Sequence, residues 1–133
     1  MADSLNDILS EGNLTLLTLK GLVESSFDSI LITESSKSGK ILFANRAFKI
    51  LTGYSPSEVI GKNPRILQGP ATDKKVLDRL RKSLSDEKHF EGRAINYKKN
   101  GNPFIMHWRV VPVKIGRNTK VWIAIQREGS AVE

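Results

Sequence analysis

The chain has 133 residues, 39% of them hydrophobic and 26% charged, a size and balance that suit one globular domain and exclude a disordered tail. No apolar run approaches the ~18 residues of a membrane span, and no secretory signal pattern is present, so we expect a cytoplasmic protein without membrane contact. The absence of cysteine excludes disulfides, thiolate metal sites and thiol nucleophiles within these residues.

The net charge of +7 is unevenly distributed along the chain. Residues 1–60 hold 5 basic and 7 acidic side chains (net −2), whereas residues 61–133 hold 16 and 7 (net +9). A basic half is compatible with a nucleic-acid partner, an anionic ligand or a well-solvated surface. The basic residues are scattered and no nucleic-acid-binding motif accompanies them. We therefore favour a solvated surface over a nucleic-acid partner.

The first predicted element is an N-terminal helix of about three turns. Six large apolar residues between Leu14 and Val23 indicate it, and Gly12 with Asn13 mark its start. These apolar residues are more than one narrow face needs for packing on a small domain. A surplus apolar stripe favours pairing with a second copy, so we expect a homodimer through this helix.

The rest of the chain reads as two strands, several short helices and three strands. In chain order, we predict strands at 29–33 and 41–44, a helix from the cap Asn45 to Leu51, helical turns and loops around 53–64, a helix at 74–84 capped by Thr72 or Asp73, and strands at 90–98, 103–114 and 120–127. Turns are expected at 34–40, 99–102 and 116–118. One antiparallel sheet with helices on one face gives an α+β fold with a pocket between the two layers.

The run N-R-A-F-K-I-L-T-G-Y-S-P-S-E-V-I-G-K-N-P-R-I-L-Q-G at 45–69 resembles the PAS signature N-x-A-F-x-x-L-T-G-Y-x-x-x-E-V-x-G. Its N-x-R-x-L-Q-G ending resembles the light-oxygen-voltage (LOV) subset found in plant phototropins and bacterial short LOV proteins. The resemblance extends over residues 25–128. It implies a PAS core there, a five-stranded antiparallel sheet with short helices on one face, a cap or dimerisation helix within 1–24, and a tail or linker start at 129–133.

The resemblance also implies that flavin mononucleotide (FMN) sits between the sheet and the helices. In the family pattern, Arg65 and Arg81 would bind the phosphate, and Gln68 would bind the ribityl chain or the ring edge. Asn63 would line the site. Asn96 and Gln126 would hydrogen-bond the polar edge of the ring. These residue types suit the task, because guanidinium forks match a phosphate and carboxamides both donate and accept hydrogen bonds.

Each of these residues also has an interpretation without a ligand. Arg81 suits a solvated helix face, and Asn63 and Gln68 suit hydrogen bonds to loop backbone. Asn96 and Gln126 are more informative. Strand alternation places Asn96 on the same face as Ala94, and Gln126 on the same face as Trp122 and Ala124. If those faces point inward, each amide needs a buried partner. For these two we favour a ligand over a partner from the protein.

Three positions depart from the LOV pattern. Pro64 occupies the place of the photoactive cysteine, which excludes a cysteinyl adduct, and a similar N-P-R-I-L stretch occurs in non-LOV bacterial PAS domains. Met106 replaces a second flavin-binding asparagine, a loss that weakens binding about 10- to 100-fold. Trp108 is predicted on the same face as Met106. Three roles are compatible with this position: it fills part of the pocket, donates an electron to the excited flavin, or packs in the core.

The function predicted from the sequence is a sensory flavoprotein domain that detects light or redox state through flavin reduction and acts on a signalling effector. The alternative is a flavin-free PAS dimerisation or small-ligand module, and a third reading is a redox PAS domain that binds flavin adenine dinucleotide (FAD). His89 and His107 are too isolated for a metal or catalytic site. No acid pair, nucleophile triad or phosphate-binding glycine loop appears, so we predict a non-enzyme.

Overall fold

Five antiparallel strands and several short helices form the α+β PAS architecture that the sequence predicts. The computed structural model describes the backbone of residues 13–115, 117 and 119–133, and their side chains except those of 13–16, 115 and 119. The elements are α1 (Asn13–Glu24), β1 (Ser29–Glu34), β2 (Ile41–Ala44), α2 (Arg46–Thr52), α3 (Pro56–Val59), a 3₁₀ turn (Pro64–Leu67), α4 (Lys74–Ser85), β3 (Phe90–Tyr97), β4 (Pro103–Ile115) and β5 (Thr119–Glu128).

The sheet has the strand order β2-β1-β5-β4-β3, so β1 and β5, from opposite ends of the domain, are neighbours. Side chains along β1 and β3 alternate between buried and more exposed positions, as expected for a sheet that packs one face against helices. The core fills the layer between that face and the helices. Its most completely buried large side chains are Leu31, Ile41, Phe48, Val59, Leu67 and Met106.

Asn45 caps α2 as predicted, and it does more than cap. Its side chain is fully buried, and Oδ1 accepts hydrogen bonds from the backbone N of Ile30 (2.8 Å) and Phe48 (3.2 Å). Nδ2 donates to the carbonyl oxygens of Val23 (2.8 Å) and Asp28 (3.0 Å). One amide therefore joins the last turn of α1, the start of β1 and the start of α2.

Asp73, rather than Thr72, caps α4. The carboxylate of Asp73 accepts a hydrogen bond from the backbone N of Lys75 at 2.8 Å, the usual cap geometry. The Thr72 hydroxyl instead donates to the carbonyl of Ile95 at 2.6 Å. This bond ties the loop before α4 to strand β3, and α4 then packs along that strand.

Helix α1 confirms the predicted N-terminal helix, although Gly12 and the side chains of Leu14 and Leu16 lie outside the described part of the chain, as do residues 116 and 118 of the predicted turn. Three of the described apolar side chains of α1, Leu17, Leu19 and Leu22, are exposed to solvent. Leu17 is 63% exposed and Leu22 is 65% exposed. No helix within the described residues has the length and apolar character needed to cross a membrane.

Candidate functional site

A cleft of about 340 Å³ opens between the β1–β2 turn, the 3₁₀ turn, α4 and β5. It brings together four of the residues predicted from the sequence to bind a ligand, together with the departure at position 64. These lining residues are Asn63, Pro64, Arg65, Gln68 and Arg81. Separated by up to 18 positions in the sequence, they meet because α4 runs back across the 3₁₀ turn.

Asn63 holds the rim of this cleft. Its Nδ2 donates to the carbonyl of Ser38 at 2.8 Å, and its Oδ1 accepts from the backbone N of Arg65 at 2.9 Å. Gly39 has a φ of +54°, and a Cβ there would lie 3.0 Å from Asn63 Nδ2. The Asn63 side chain thus lines the cleft, while both of its polar atoms form hydrogen bonds with the backbone. This agrees with the interpretation in which Asn63 serves the loop and not a ligand.

The charge at the cleft mouth is predominantly positive. Among its described lining residues, Lys37, Arg65 and Arg81 are cationic and Glu34 is the acid. A hydrogen bond donated by the Ser38 hydroxyl is the main cause that lowers the pKa of Glu34 below its usual value, so this group is a carboxylate at neutral pH. Arg81 pairs with Asp78 at 2.5 Å in an exposed contact, which is weak in water and leaves the guanidinium available to an anion.

A buried carboxamide with an unused acceptor lies on β3, outside the residues that line the cleft. Asn96 on β3 is 6% exposed, and its Nδ2 lies 3.3 Å from the sulfur of Met106. Its Oδ1 is buried and accepts no hydrogen bond from the described residues. Native proteins rarely leave such an atom unpaired, because its desolvation costs about 1–3 kcal/mol.

Gln126 is the second inward carboxamide, and it has a protein partner. It is 4% exposed, and the Ser29 hydroxyl donates to its Oε1 at 2.9 Å. Trp122, on the same face of β5 four residues earlier, lines the cleft, and four residues of strand span about 13 Å. The structure therefore brings Asn63, Arg65, Gln68 and Arg81 together in the cleft, whereas Asn96 and Gln126 are buried in the core and are not among the residues that line it.

The two tryptophans lie in different parts of the domain. Trp108 is buried and packs on Phe90, with ring centroids 5.2 Å apart, and Gly92 lies opposite it in the register of β3 and β4. This arrangement favours the core reading of Trp108. Trp122 is the aromatic residue that lines the cleft, and strand alternation alone indicated its face but not its depth.

Other regions of the described chain offer less chemistry. A depression of about 460 Å³ lies between the end of α2 and the β3–β4 turn. It is larger than the cleft but more open to solvent, and it contains none of the predicted site residues. No cluster of three or more His, Cys, Asp or Glu side chains with metal-binding geometry occurs among the described residues.

Comparison with known proteins identifies the family. The model of the PAS domain family matches residues 28–130. A LOV domain from the Erythrobacter litoralis EL346 blue-light activated histidine kinase has a similar structure, with a TM-score of 0.71 and 32% identity over 76% of this chain and 94% of that one. The chain belongs to the LOV branch of the PAS family.

Curated relatives of this LOV domain are longer proteins. A blue-light-activated histidine kinase of Brucella anthropi is 49% identical over 74 residues, which are 56% of this chain and 15% of the kinase. A blue-light photoreceptor of Listeria innocua is 31% identical over 110 residues, which are 83% of this chain and 44% of the receptor. The chain thus spans less than half of each relative.

Proposed function

We propose that this LOV domain is a sensory flavoprotein module that binds FMN in the cleft and detects light or redox state through flavin reduction, without a cysteinyl adduct. The observation that carries the proposal is the unpaired Oδ1 of Asn96. The ring edge of a flavin carries alternating donors and acceptors, so it can satisfy this acceptor. The bound flavin would supply light absorption and reversible reduction.

In this proposal, different residues bind the phosphate, the ribityl chain and the ring edge of FMN. Arg65 and Arg81 at the mouth are suited to the phosphate, and Gln68 between them lines the wall that the ribityl chain would follow. Asn96 and Gln126 would hold the ring edge. Met106, buried beside Asn96, offers a weak sulfur acceptor and no donor, which makes the ring end of this site poorer in hydrogen bonds than the family pattern.

The phosphate assignment is tested by comparing FMN with riboflavin, which lacks the phosphate. Replacing both Arg65 and Arg81 with glutamine should weaken FMN binding about 10- to 100-fold and leave riboflavin binding unchanged. Fluorescence titration measures both affinities. Arg93→Gln, an exposed arginine on β3 outside the cleft, is the matched control and should change neither. An equal loss for both flavins in the double variant would contradict the assignment.

A thiol at position 64 should restore the chemistry that Pro64 removes. Residue 64 lies in the cleft wall, and the LOV pattern has its photoactive cysteine at this position, so the thiol of Pro64→Cys would lie beside the ring of a flavin bound as in that family, where proximity favours addition. Blue light should bleach the flavin absorbance of this variant, with recovery in the dark. The unmodified protein and Pro64→Ser should not show this cycle. If flavin binds but Pro64→Cys behaves as Pro64→Ser does, the ring is not placed as proposed.

We also propose that the domain forms a homodimer through α1. Leu17 and Leu22 on α1 and the fully exposed Phe27 after it present apolar surface to solvent, which favours association. Light scattering at high micromolar concentration should show a dimer, and Leu22→Ser with Phe27→Ser should shift it to monomer. Ile50→Ser, at a 76% exposed position on α2, is the control and should stay dimeric. A wild-type monomer, or a dimer unchanged by deletion of residues 1–24, would contradict the proposal.

A flavin-free PAS dimerisation or small-ligand module is the second candidate. It is favoured by Met106 at the ring end and by the two polar atoms of Asn63 that already bind backbone. In either case we propose that the domain acts in the cytoplasm on a signalling effector and has no enzymatic activity of its own. FAD is the alternative cofactor, and its longer anionic tail would extend past Lys37 at the cleft mouth.

A further inference from the structure

Arg79 of α4 joins three parts of the molecule. Its Nη1 donates to the carbonyl of Glu91 at 2.7 Å, and its guanidinium carbon lies 4.8 Å from the centre of the Phe90 ring. Its Nη2 lies 2.5 and 2.6 Å from the two side-chain oxygens of Glu133. One arginine therefore holds helix α4, the edge strand β3 and the C-terminal segment 129–133 together.

Gly92 makes room for this contact. A Cβ at Gly92 would lie 2.5 Å from the Cζ of Phe90 and 3.1 Å from Nη2 of Arg79. The Phe90 ring cannot retreat freely, because its other neighbour is Trp108. A glycine within a strand usually marks a close approach of another group. Here the close groups are the Phe90 ring and the Arg79 guanidinium. The absence of a side chain at Gly92 therefore leaves room for the arginine that binds Glu133.

The C-terminal segment reaches Arg79 from the far end of β5. The backbone N of Gly129 donates to the carbonyl of Ile105 at 2.8 Å, a position near the start of β4. Glu133 then meets Arg79 beside Glu91, near the start of β3 and opposite the middle of β4. The segment is thus held at both ends, by a backbone hydrogen bond at Gly129 and by an ion pair in which one guanidinium nitrogen of Arg79 contacts both carboxylate oxygens of Glu133.

The helix that carries Arg79 also lines the cleft. Leu77, Leu80 and Arg81 of α4 form part of the cleft wall, while Arg79 projects to β3 and Glu133. A rigid helix transmits a change in position or in mobility from one side to the other. A ligand that holds α4 in one position would lower the entropy cost of fixing Glu133 to Arg79, and the coupling would be reciprocal.

We propose that Arg79 is a positioning residue that holds the C-terminal segment 129–133 against α4, a contact that we call the latch. Ligand binding in the cleft and attachment of this segment then strengthen one another. The latch itself rests on the contacts of Arg79, and the coupling rests on the proposed binding of FMN. The experiment therefore has one arm without ligand and one arm with FMN as the probe.

The arm without ligand measures the mobility of the segment. Because the chain contains no cysteine, Ala131→Cys gives a single attachment site for a nitroxide spin label in the full chain. Glu133→Gln should raise the mobile fraction of the label about two- to five-fold, the range of an exposed ion pair. The control Glu128→Gln removes the other acid near this segment, paired with Lys98 at 3.8 Å, and should leave the fraction unchanged. Equal spectra for all three proteins would overturn the latch.

The arm with FMN measures the coupling. Saturating FMN should lower the mobile fraction in the parent and in Glu128→Gln but not in Glu133→Gln, and Glu133→Gln should bind FMN about two- to five-fold more weakly. If the parent binds FMN and neither quantity responds to Glu133→Gln, the coupling is wrong and the proposed function stands. If the parent does not bind FMN, the proposed function and the coupling both fail, and the ligand-free arm still decides the latch.

Discussion

Replacing Asn45 with alanine is expected to lower the free energy of unfolding by about 3–5 kcal/mol. The fully buried amide makes four hydrogen bonds, two accepted and two donated. Alanine removes all four and leaves the backbone N of Ile30 and the carbonyl of Asp28 without these partners in a part-buried position. The loss therefore combines a missing helix cap with several buried unsatisfied groups. Urea unfolding followed by circular dichroism measures it.

The matched control is Asn100→Ala in the β3–β4 turn. The Asn100 side chain accepts one hydrogen bond from the backbone N of Asn102, in an exposed position, and its loss should cost less than about 1 kcal/mol. Asn45→Asp separates the two halves of the amide, because it keeps the acceptors and places a carboxylate against the Val23 and Asp28 carbonyls. If Asn45→Ala costs no more than Asn100→Ala, the hydrogen bonds of Asn45 do not hold α1 to the core.

Replacing Asn96 with leucine is expected to change stability and FMN binding in opposite directions. Without ligand, leucine removes a buried acceptor that has no hydrogen-bond partner among the described residues, and the free energy of unfolding should rise by about 1 kcal/mol. In the proposed complex the same change would remove one or two hydrogen bonds to the flavin ring, and it should weaken FMN binding about 10- to 100-fold. Urea unfolding and fluorescence titration measure the two quantities on one preparation.

This opposition separates a binding residue from a core residue. If Asn96 serves only the fold, its replacement with leucine should lower the free energy of unfolding of the protein and leave the affinity for FMN unchanged. Asn102→Leu, at an exposed position in the β3–β4 turn, is the control and should leave both quantities near their wild-type values. A destabilised Asn96→Leu protein with unchanged FMN affinity would assign Asn96 to the core.

The sequence predicted the architecture well because each element carries its own local signal. Alternating apolar residues mark the strands, and Asn45 and Asp73 mark helix starts. The ends of the elements differ from the prediction by one or two residues, for example Thr119–Glu128 against 120–127, because terminal pairs depend on the neighbouring strand. The capping residue of α4 was left open between Thr72 and Asp73, since only the fold shows that Thr72 bonds to Ile95.

The site was harder to predict, because its details depend on contacts between distant parts of the chain. Asn63 bonds to Ser38, 25 positions away, and nothing local to Asn63 indicates that partner. Alternation placed Trp108 and Trp122 on the inward face, but only the packing shows that Trp108 meets Phe90 and Trp122 meets the cleft. Asn45 was predicted as a cap, and its bond to Val23 of α1 has no signature in the sequence.

The most direct measurement of the central claim is titration of the purified full chain with FMN, followed by the quenching of flavin fluorescence. We expect saturable binding of one FMN per chain at micromolar concentration, tighter than riboflavin by about 10- to 100-fold because Arg65 and Arg81 would meet the phosphate. A protein that purifies without flavin and takes up none at micromolar concentration would contradict the claim. The unpaired acceptor of Asn96 would then have to be satisfied by another ligand.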